Sequence, residues 1–271
     1  MMEDILVKIA EKTKIRVIEQ EAQVPLSVLK EKVASRMEAE RRGQCSLPDF
    51  YAALKKPGMS YICECKKASP SKGLIAPDFP YVKIAREYEA AGASAISCLT
   101  EPYWFLGSDR YVEEITENVN IPVLRKDFTV NEYMIYQARA MGASAVLLIC
   151  AILDDQRLAD YLALTHTLGM HALVEAHDEG EVQRALAAGA KIIGVNNRDL
   201  RTFTVDMHNS IRLRNLAPAD KVFVSESGIK TSDDIRVLYE NGVDAVLIGE
   251  TLMRSDDKAK TLRELNGGPL G

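Results

Sequence analysis

Short hydrophobic runs recur along the chain, and six of them end in a polar or charged residue suited to acid–base chemistry. Ile62 leads to Glu64 and Lys66, Leu124 to Lys126, Leu173 to Glu175, Gly194 to Asn196 and Val224 to Glu226, while Ile248 leads to Glu250 across Gly249. Strand side chains alternate faces, so each polar residue shares a face with the apolar residue or glycine two positions earlier. Set side by side as parallel strands, the runs place their polar ends together above one packed core, the arrangement of a catalytic rim on a barrel.

A second pattern supports parallel strands. The phrase Ala91-Gly92-Ala93-Ser94-Ala95-Ile96 returns as Met141-Gly142-Ala143-Ser144-Ala145-Val146, as Ala188-Gly189-Ala190-Lys191-Ile192 and as Asn241-Gly242-Val243-Asp244-Ala245-Val246, with a looser copy at Gly169-Met170-His171-Ala172-Leu173. In each, a helix ends, glycine takes the left-handed position after it, and a strand begins at once. The close copies recur about every 50 residues, room for two strand–helix units each, which implies parallel strands joined by right-handed crossovers. Strands are expected at 60–65, 95–99, 122–125, 145–149, 171–175, 191–195, 221–225 and 244–248. Helical periodicity fills the intervals near 80–91, 109–118, 131–141, 155–168, 178–188, 206–215 and 231–240, with a short helix after 250. Asp109, Asn131, Asp154, Asp178 and Asp233 are the expected helix starters, offering oxygen acceptors to free N–H groups.

The fold class is therefore α/β, a single (β/α)8 barrel. A doubly wound open sheet is the alternative, but nothing signals the strand-order reversal it needs. Residues 1–54 carry Ile5, Ile9, Leu26, Leu29, Val33 and Met37 at helical spacing and read as a helical extension capping one barrel end. Residues 60–254 form the barrel, and 266–271 read as a frayed tail. Lys12, Lys14, Glu19 and Glu21 read as a solvated face.

Composition narrows the function. The chain has 271 residues, 47% hydrophobic and 27% charged, with a net charge of −5. That length suits one barrel of roughly 250 residues. No basic stripe points to nucleic acid. No apolar run approaches the ~20 residues that span a membrane. Glu3 and Asp4 interrupt the start, which does not read as a secretion signal. Five cysteines without a framework pattern read as reduced thiols of a cytoplasmic protein. By parity Cys63 and Cys65 face away from Glu64, toward the covering helices. His166, His171, His177 and His208 lack metal-ligand spacing and read as surface or packing residues. Oligomeric state is not fixed by the sequence, and a monomer is the expectation.

The rim supplies the candidate chemistry. Glu64 and Lys66 share a face with Cα atoms ~6.6 Å apart, close enough to tune each other as acid and base. The following Ser69-Pro70-Ser71-Lys72-Gly73 reads as a mobile loop with hydroxyl and cationic donors. Lys126 sits over an apolar rim and can act as a general acid if desolvation lowers its pKa; a salt bridge to Asp127 is the plain alternative. Glu175 ends strand five, with Asp178 better placed to start the next helix. Asn196 can bind hydroxyls or a carbonyl and Arg198 suits a carboxylate, although Asn196 and Asn197 could also simply turn the chain. The turns at Ser227-Gly228 and Ile248-Gly249-Glu250 follow strands seven and eight, the usual phosphate site of this architecture. Neither a metal cluster nor a dinucleotide fingerprint occurs in the sequence, so no cofactor is expected and the ligand is expected to be a phosphorylated small molecule.

Five motifs in this order resemble indole-3-glycerol-phosphate synthases: Glu64-Cys65-Lys66-Lys67-Ala68-Ser69-Pro70-Ser71-Lys72-Gly73, Leu124-Arg125-Lys126-Asp127-Phe128, Leu173-Val174-Glu175, Gly194-Val195-Asn196-Asn197-Arg198-Asp199-Leu200 and Ser225-Glu226-Ser227-Gly228-Ile229. The resemblance runs from the N-terminal helix to Leu252; Glu250 departs from it, standing where many relatives carry serine. It implies a lyase of tryptophan biosynthesis acting on 1-(2-carboxyphenylamino)-1-deoxyribulose 5-phosphate. It further implies that Lys126 protonates the ketone as the ring closes and that Lys66 binds the carboxylate and serves as a second acid. Glu64 and Glu175 handle protons, with the division between them open. Asn196 and Glu226 hold sugar hydroxyls and orient Glu175 or Lys126. Ser69, Ser227, Gly228 and Gly249 line the phosphate and loop contacts, and Phe105, Phe128, Leu147 and Ile248 wall the aromatic ring. Two rivals remain at this level. An isomerase of phosphorylated amino sugars would favour a cysteine–aspartate pair at the rim. A silent phosphosugar-binding protein would have no use for Lys126 or Glu175.

Overall fold

A computed structural model describes residues 5–199, 202 and 204–267. Eight parallel strands close into a barrel: β1 (Ser60–Cys65), β2 (Ala95–Leu99), β3 (Val123–Lys126), β4 (Ala145–Ile149), β5 (His171–Ala176), β6 (Ile192–Asn196), β7 (Val222–Glu226) and β8 (Ala245–Ile248). The order around the barrel follows the chain, and β8 closes on β1 with Ser60 opposite Ala245. The strand positions read from the sequence hold to within a residue or so.

Alternation sorts the side chains into two layers. Ile62, Ala95, Leu124, Ala145, Leu147, Leu173, Ile192, Val222, Val224, Ala245 and Leu247 fill the interior. Small alanines sit beside larger residues in register, Ala95 opposite Ile62 and Ala145 opposite Leu124, which lets the layers interdigitate. Cys63, Cys65, Ile96, Cys98, Val146, Leu148, Val174, Ile193 and Val246 pack outward against the helices, as parity required of the two cysteines. Helix starts largely follow the expected caps. Asn131, Asp154 and Asp178 accept from backbone N–H groups of Tyr133, Arg157 and Glu181. Two expectations are corrected. Thr231, not Asp233, caps its helix, in a reciprocal box with Asp234. Asp109 is the first helical residue, and its carboxylate is taken by Arg125, Gln20 and Gln137.

The extension caps both ends rather than one. Helices α1 (Ile5–Gln23), α2 (Leu26–Arg41) and α3 (Phe50–Leu54) precede β1. Phe50 and Leu54 plug the interior near Ser60, whose hydroxyl donates to the carbonyls of Ala53 and Leu54. Leu6 and Ile9 of α1 meet the same interior cluster at the opposite, C-terminal mouth of the strands. A buried bidentate pair pins α1 there: Arg16 Nη2 lies 2.8 and 2.9 Å from the two Asp127 oxygens. Asp127 therefore does not bridge to Lys126; Arg16 and Arg125 occupy it. Lys14 and Glu11 pair on the exposed face, as expected for the surface charges of this helix.

The segment after β1 is built as a hairpin, Ala68–Ser69 against Gly73–Leu74, where a mobile loop was expected. Gly73, at φ 63°, supplies the left-handed residue that turns it. A further helix, Lys258–Leu265, started by the Asp257 carboxylate, was not apparent in the sequence. The expected tail lies outside the described residues from 268 onward.

Candidate active site

The C-terminal ends of the strands open into a cavity of about 880 Å³. Glu64, Lys66, Ser69, Phe105, Lys126, Phe128, Leu147, Glu175, Asn196, Arg198, Ser227, Gly228, Ile248 and Gly249 all border it. Five of the six runs keep the predicted parity, with the polar residue above an interior residue. The sixth does not. Strand alternation ends at Ile248, Gly249 turns the chain, and Glu250 begins a short helix, Glu250–Met253. Leu247 is thus the inward residue of β8, and Ile248 packs mainly in the outer layer opposite Cys63.

The ionisable groups form one chain. Lys66 Nζ lies 2.5 Å from Glu64 Oε1, and Lys126 Nζ lies 3.7 Å from Glu64 Oε2 and 2.5 Å from Glu226 Oε2. Burial alone would lower the Lys126 pKa, but Glu226, Glu64 and Glu175 together outweigh it and raise it. The condition set from the sequence, that desolvation lowers its pKa, is therefore not met: three carboxylates keep this lysine charged. Burial pushes the Glu64 carboxyl up, but Lys66 and Lys126 pull it below its ordinary value. Glu175 is likewise held below the ordinary carboxylate value despite burial, by His177, Lys126 and Asn196. Glu226 is the exception: burial dominates and lifts it to about 7, with Glu175 and Glu64 adding to the effect.

Glu226 is 1% exposed and does not line the cavity. Its Oε1 has no hydrogen-bond partner and rests against Gly194, where an added Cβ would lie 2.3 Å away. Gly194 is glycine because this carboxylate needs the space. Gly249 serves in the same way on the other side, since a Cβ there would lie 2.3 Å from Glu64 Oε1 and 2.8 Å from Lys66 Nζ. That use of Gly249, room for the ion pair, was not foreseen.

The two asparagines divide their work by parity. Asn196 faces the cavity, and its Oδ1 accepts from Ser227 Oγ at 3.0 Å and from the Arg198 N–H at 3.1 Å. Asn197 points outward, donates to Ser225 Oγ and the Ser227 carbonyl, and accepts from Ser210. Ser227 holds φ 70° and Gly228 φ 91°, so two successive left-handed residues turn the chain after β7 where it borders the cavity. Lys72 reaches over from the hairpin, 3.5 Å from Glu250, which also pairs with Arg254 at 3.1 Å. Phe105 and Phe128 form one wall, ring centres 6.3 Å apart, with Leu147 beside them.

Three contributors escaped the sequence. Glu101 is fully buried and takes the N–H groups of Tyr103, Trp104 and Phe105, which shapes the loop that presents Phe105. Arg16 anchors α1 beside Lys126, but no spacing separated it from the exposed charges around it. His177, expected as a surface or packing residue, lies 3.3 Å from Glu175 Oε1 and 3.0 Å from Glu181 Oε2. Its position two after Glu175 and four before Glu181 was the readable signal.

Comparison with known proteins agrees with the geometry. The family model for indole-3-glycerol phosphate synthase matches residues 6–265. The chain belongs to the indole-3-glycerol phosphate synthase family. Indole-3-glycerol phosphate synthase of Ruminiclostridium cellulolyticum is 54% identical over 263 residues, covering 97% of this chain and 99% of that one. The Endomicrobium trichonymphae enzyme of the same name is 55% identical, covering 96% and 99%. Among solved structures, thiamine phosphate pyrophosphorylase from Pyrococcus furiosus superposes with a TM-score of 0.59 at 17% identity, covering 81% of this chain and 96% of that one. A 3-hexulose-6-phosphate synthase superposes at 0.60 with 15% identity, over 77% and 99%. At those identities the likeness is one of fold. None of the described helices is long and apolar enough to cross a membrane.

Proposed function

We propose that this rim carries out the family's reaction, converting 1-(2-carboxyphenylamino)-1-deoxyribulose 5-phosphate to indole-3-glycerol phosphate, carbon dioxide and water. The observation that carries the reading is the buried chain Lys66–Glu64–Lys126–Glu226 beneath a half-apolar cavity. A passive binding site has no use for that much desolvated charge.

The substrate phosphate sits at the Ser227-Gly228 turn and Gly249, within reach of Lys72. The aromatic ring lies against Phe105, Phe128 and Leu147, and Lys66 or Arg198 takes its carboxylate. The ring carbon bearing the carboxylate attacks the ketone carbon, and the carbonyl electron pair moves to oxygen. Lys126 gives that oxygen a proton. An alkoxide is a stronger base than an amine, so transfer runs downhill even from a lysine whose pKa the carboxylates raise. Carbon dioxide then leaves, and the electrons of the broken bond restore the aromatic ring. Dehydration removes a proton from the carbon beside nitrogen and a hydroxide from the neighbouring carbon. Glu175 suits the base: it is buried, 3% exposed, and held ionised by His177 and Lys126. The Glu64–Lys66 pair suits the acid that protonates the departing hydroxyl. Glu226, under the floor, fixes Lys126 rather than touching the sugar.

The direct test is indole formation from that substrate, followed by ultraviolet absorbance or fluorescence with no metal or cofactor added. A folded protein that releases no indole product would reject the reading.

A further inference from the structure

His177 lies outside the main cavity, at the border of a second, polar cavity of about 620 Å³. It leaves the end of β5 directly after the strand that carries Glu175. Its backbone N–H donates to Glu181 Oε2 at 2.8 Å, and its Nδ1 lies 3.0 Å from the same oxygen. Its Nε2 is buried, has no well-aligned hydrogen-bond acceptor, and lies 3.3 Å from Glu175 Oε1. The His177 carbonyl accepts from Asn209 Nδ2 at 3.1 Å, which fixes the residue from the helix after β6. A ring with a carboxylate at each nitrogen can serve both only as a double donor, the imidazolium.

We propose that His177 is a positioning residue: a cationic clamp between Glu175 and Glu181 that fixes the Glu175 carboxylate and balances its charge inside the barrel. The inference rests on the reading of Glu175 as the base. The clamp explains how a third buried carboxylate is tolerated beside Glu64 and Glu226, whose ion pairs are with Lys66 and Lys126. The contact pair is also consistent with the titration of the ring, which burial would lower but the two carboxylates raise to about 10. The other charged or titratable groups bordering the same cavity are Asp178 on its own loop, Arg198, Asp199 and Asp206 from the segment after β6, and His208 and Arg212 from the helix His208–Arg214. Lys126 acts on Glu175 from across the barrel.

The test has two arms. In the intact protein, nitrogen-15 NMR of the imidazoles, with His177 assigned by its loss in His177→Gln, reads the charge without any need for turnover. The clamp requires an imidazolium that persists well above the ordinary titration range of histidine; a ring that is neutral at neutral pH overturns it. In the enzyme assay, His177→Gln should lower kcat roughly tenfold to a hundredfold, the usual loss when an orienting partner is removed, with KM within about twofold. The acid limb of its kcat–pH profile should move upward, and His177→Lys should restore part of both. An unmoved acid limb, or no recovery with lysine, assigns the residue a purely structural role and sinks the proposal. Absence of lyase activity in the wild-type chain would instead strike the functional reading, leaving the NMR arm to judge the clamp.

Discussion

Gly194→Ala isolates the seat of Glu226. The alanine Cβ would lie 2.3 Å from Glu226 Oε1 and 3.0 Å from Leu173 Cδ1, and Leu173 is fully buried. Glu226 cannot retreat to solvent, and its other oxygen holds Lys126 at 2.5 Å. Either the carboxylate swings and drags the ammonium, or the β6 backbone moves outward. Overpacking of this kind costs about 1–3 kcal/mol, a fall in Tm of roughly 2–10 °C for a chain of this size. A displacement near 1 Å at a proton donor costs on the order of 10² in kcat. Gly169→Ala is the control. Its φ of 76° penalises alanine by about 1–2 kcal/mol, yet nothing lies within 4 Å of an added Cβ. Steady-state kinetics and thermal melts of the two variants should separate: both lose stability, and only Gly194→Ala loses kcat. Equal kcat in both variants and wild type would show that Glu226 does not govern Lys126, and the reasoning about the floor would fail.

Other consequences can be checked on the same preparation. Lys126→Ala should lower kcat by roughly 10²–10⁴ while leaving substrate affinity largely intact, measured by turnover and calorimetric titration; unchanged turnover removes it as the acid. Arg16→Met leaves the buried Asp127 carboxylate without its bidentate partner and should cost about 3–5 kcal/mol in urea unfolding, much of it recovered in Arg16→Met/Asp127→Asn. Glu226 binds its proton more tightly folded than unfolded, so its contribution to stability falls as pH rises from the ordinary carboxylate range through about 7. Denaturant curves should show Glu226→Gln flattening that slope. Glu250→Ser removes the negative partner of Lys72 from the phosphate mouth and should lower KM roughly twofold to fivefold with kcat unchanged.

Local patterning settled a great deal here. The recurring glycine at five helix ends and alternation within each strand set the eight-strand barrel, the faces of Cys63 and Cys65, and the inward face shared by Glu64, Lys66, Lys126, Glu175, Asn196 and Glu226. These features follow from period and parity, which are properties of neighbouring residues. Where alternation stopped, at Gly249, the same reasoning misplaced Ile248 and Glu250. What only the tertiary structure decided depends on residues far apart in sequence. The state of Lys126 could not be read locally, because its burial is legible in sequence while the carboxylates that outweigh it come from β1, β5 and β7. The reason for glycine at 194 lies in a side chain on the next strand. Arg16 and Asp127, which tie the N-terminal helix to the catalytic mouth, carry no mark of partnership in the chain itself. Hydrophobic burial follows a pattern along the backbone; Coulomb interactions depend on distance through space, and only the closed barrel sets those distances.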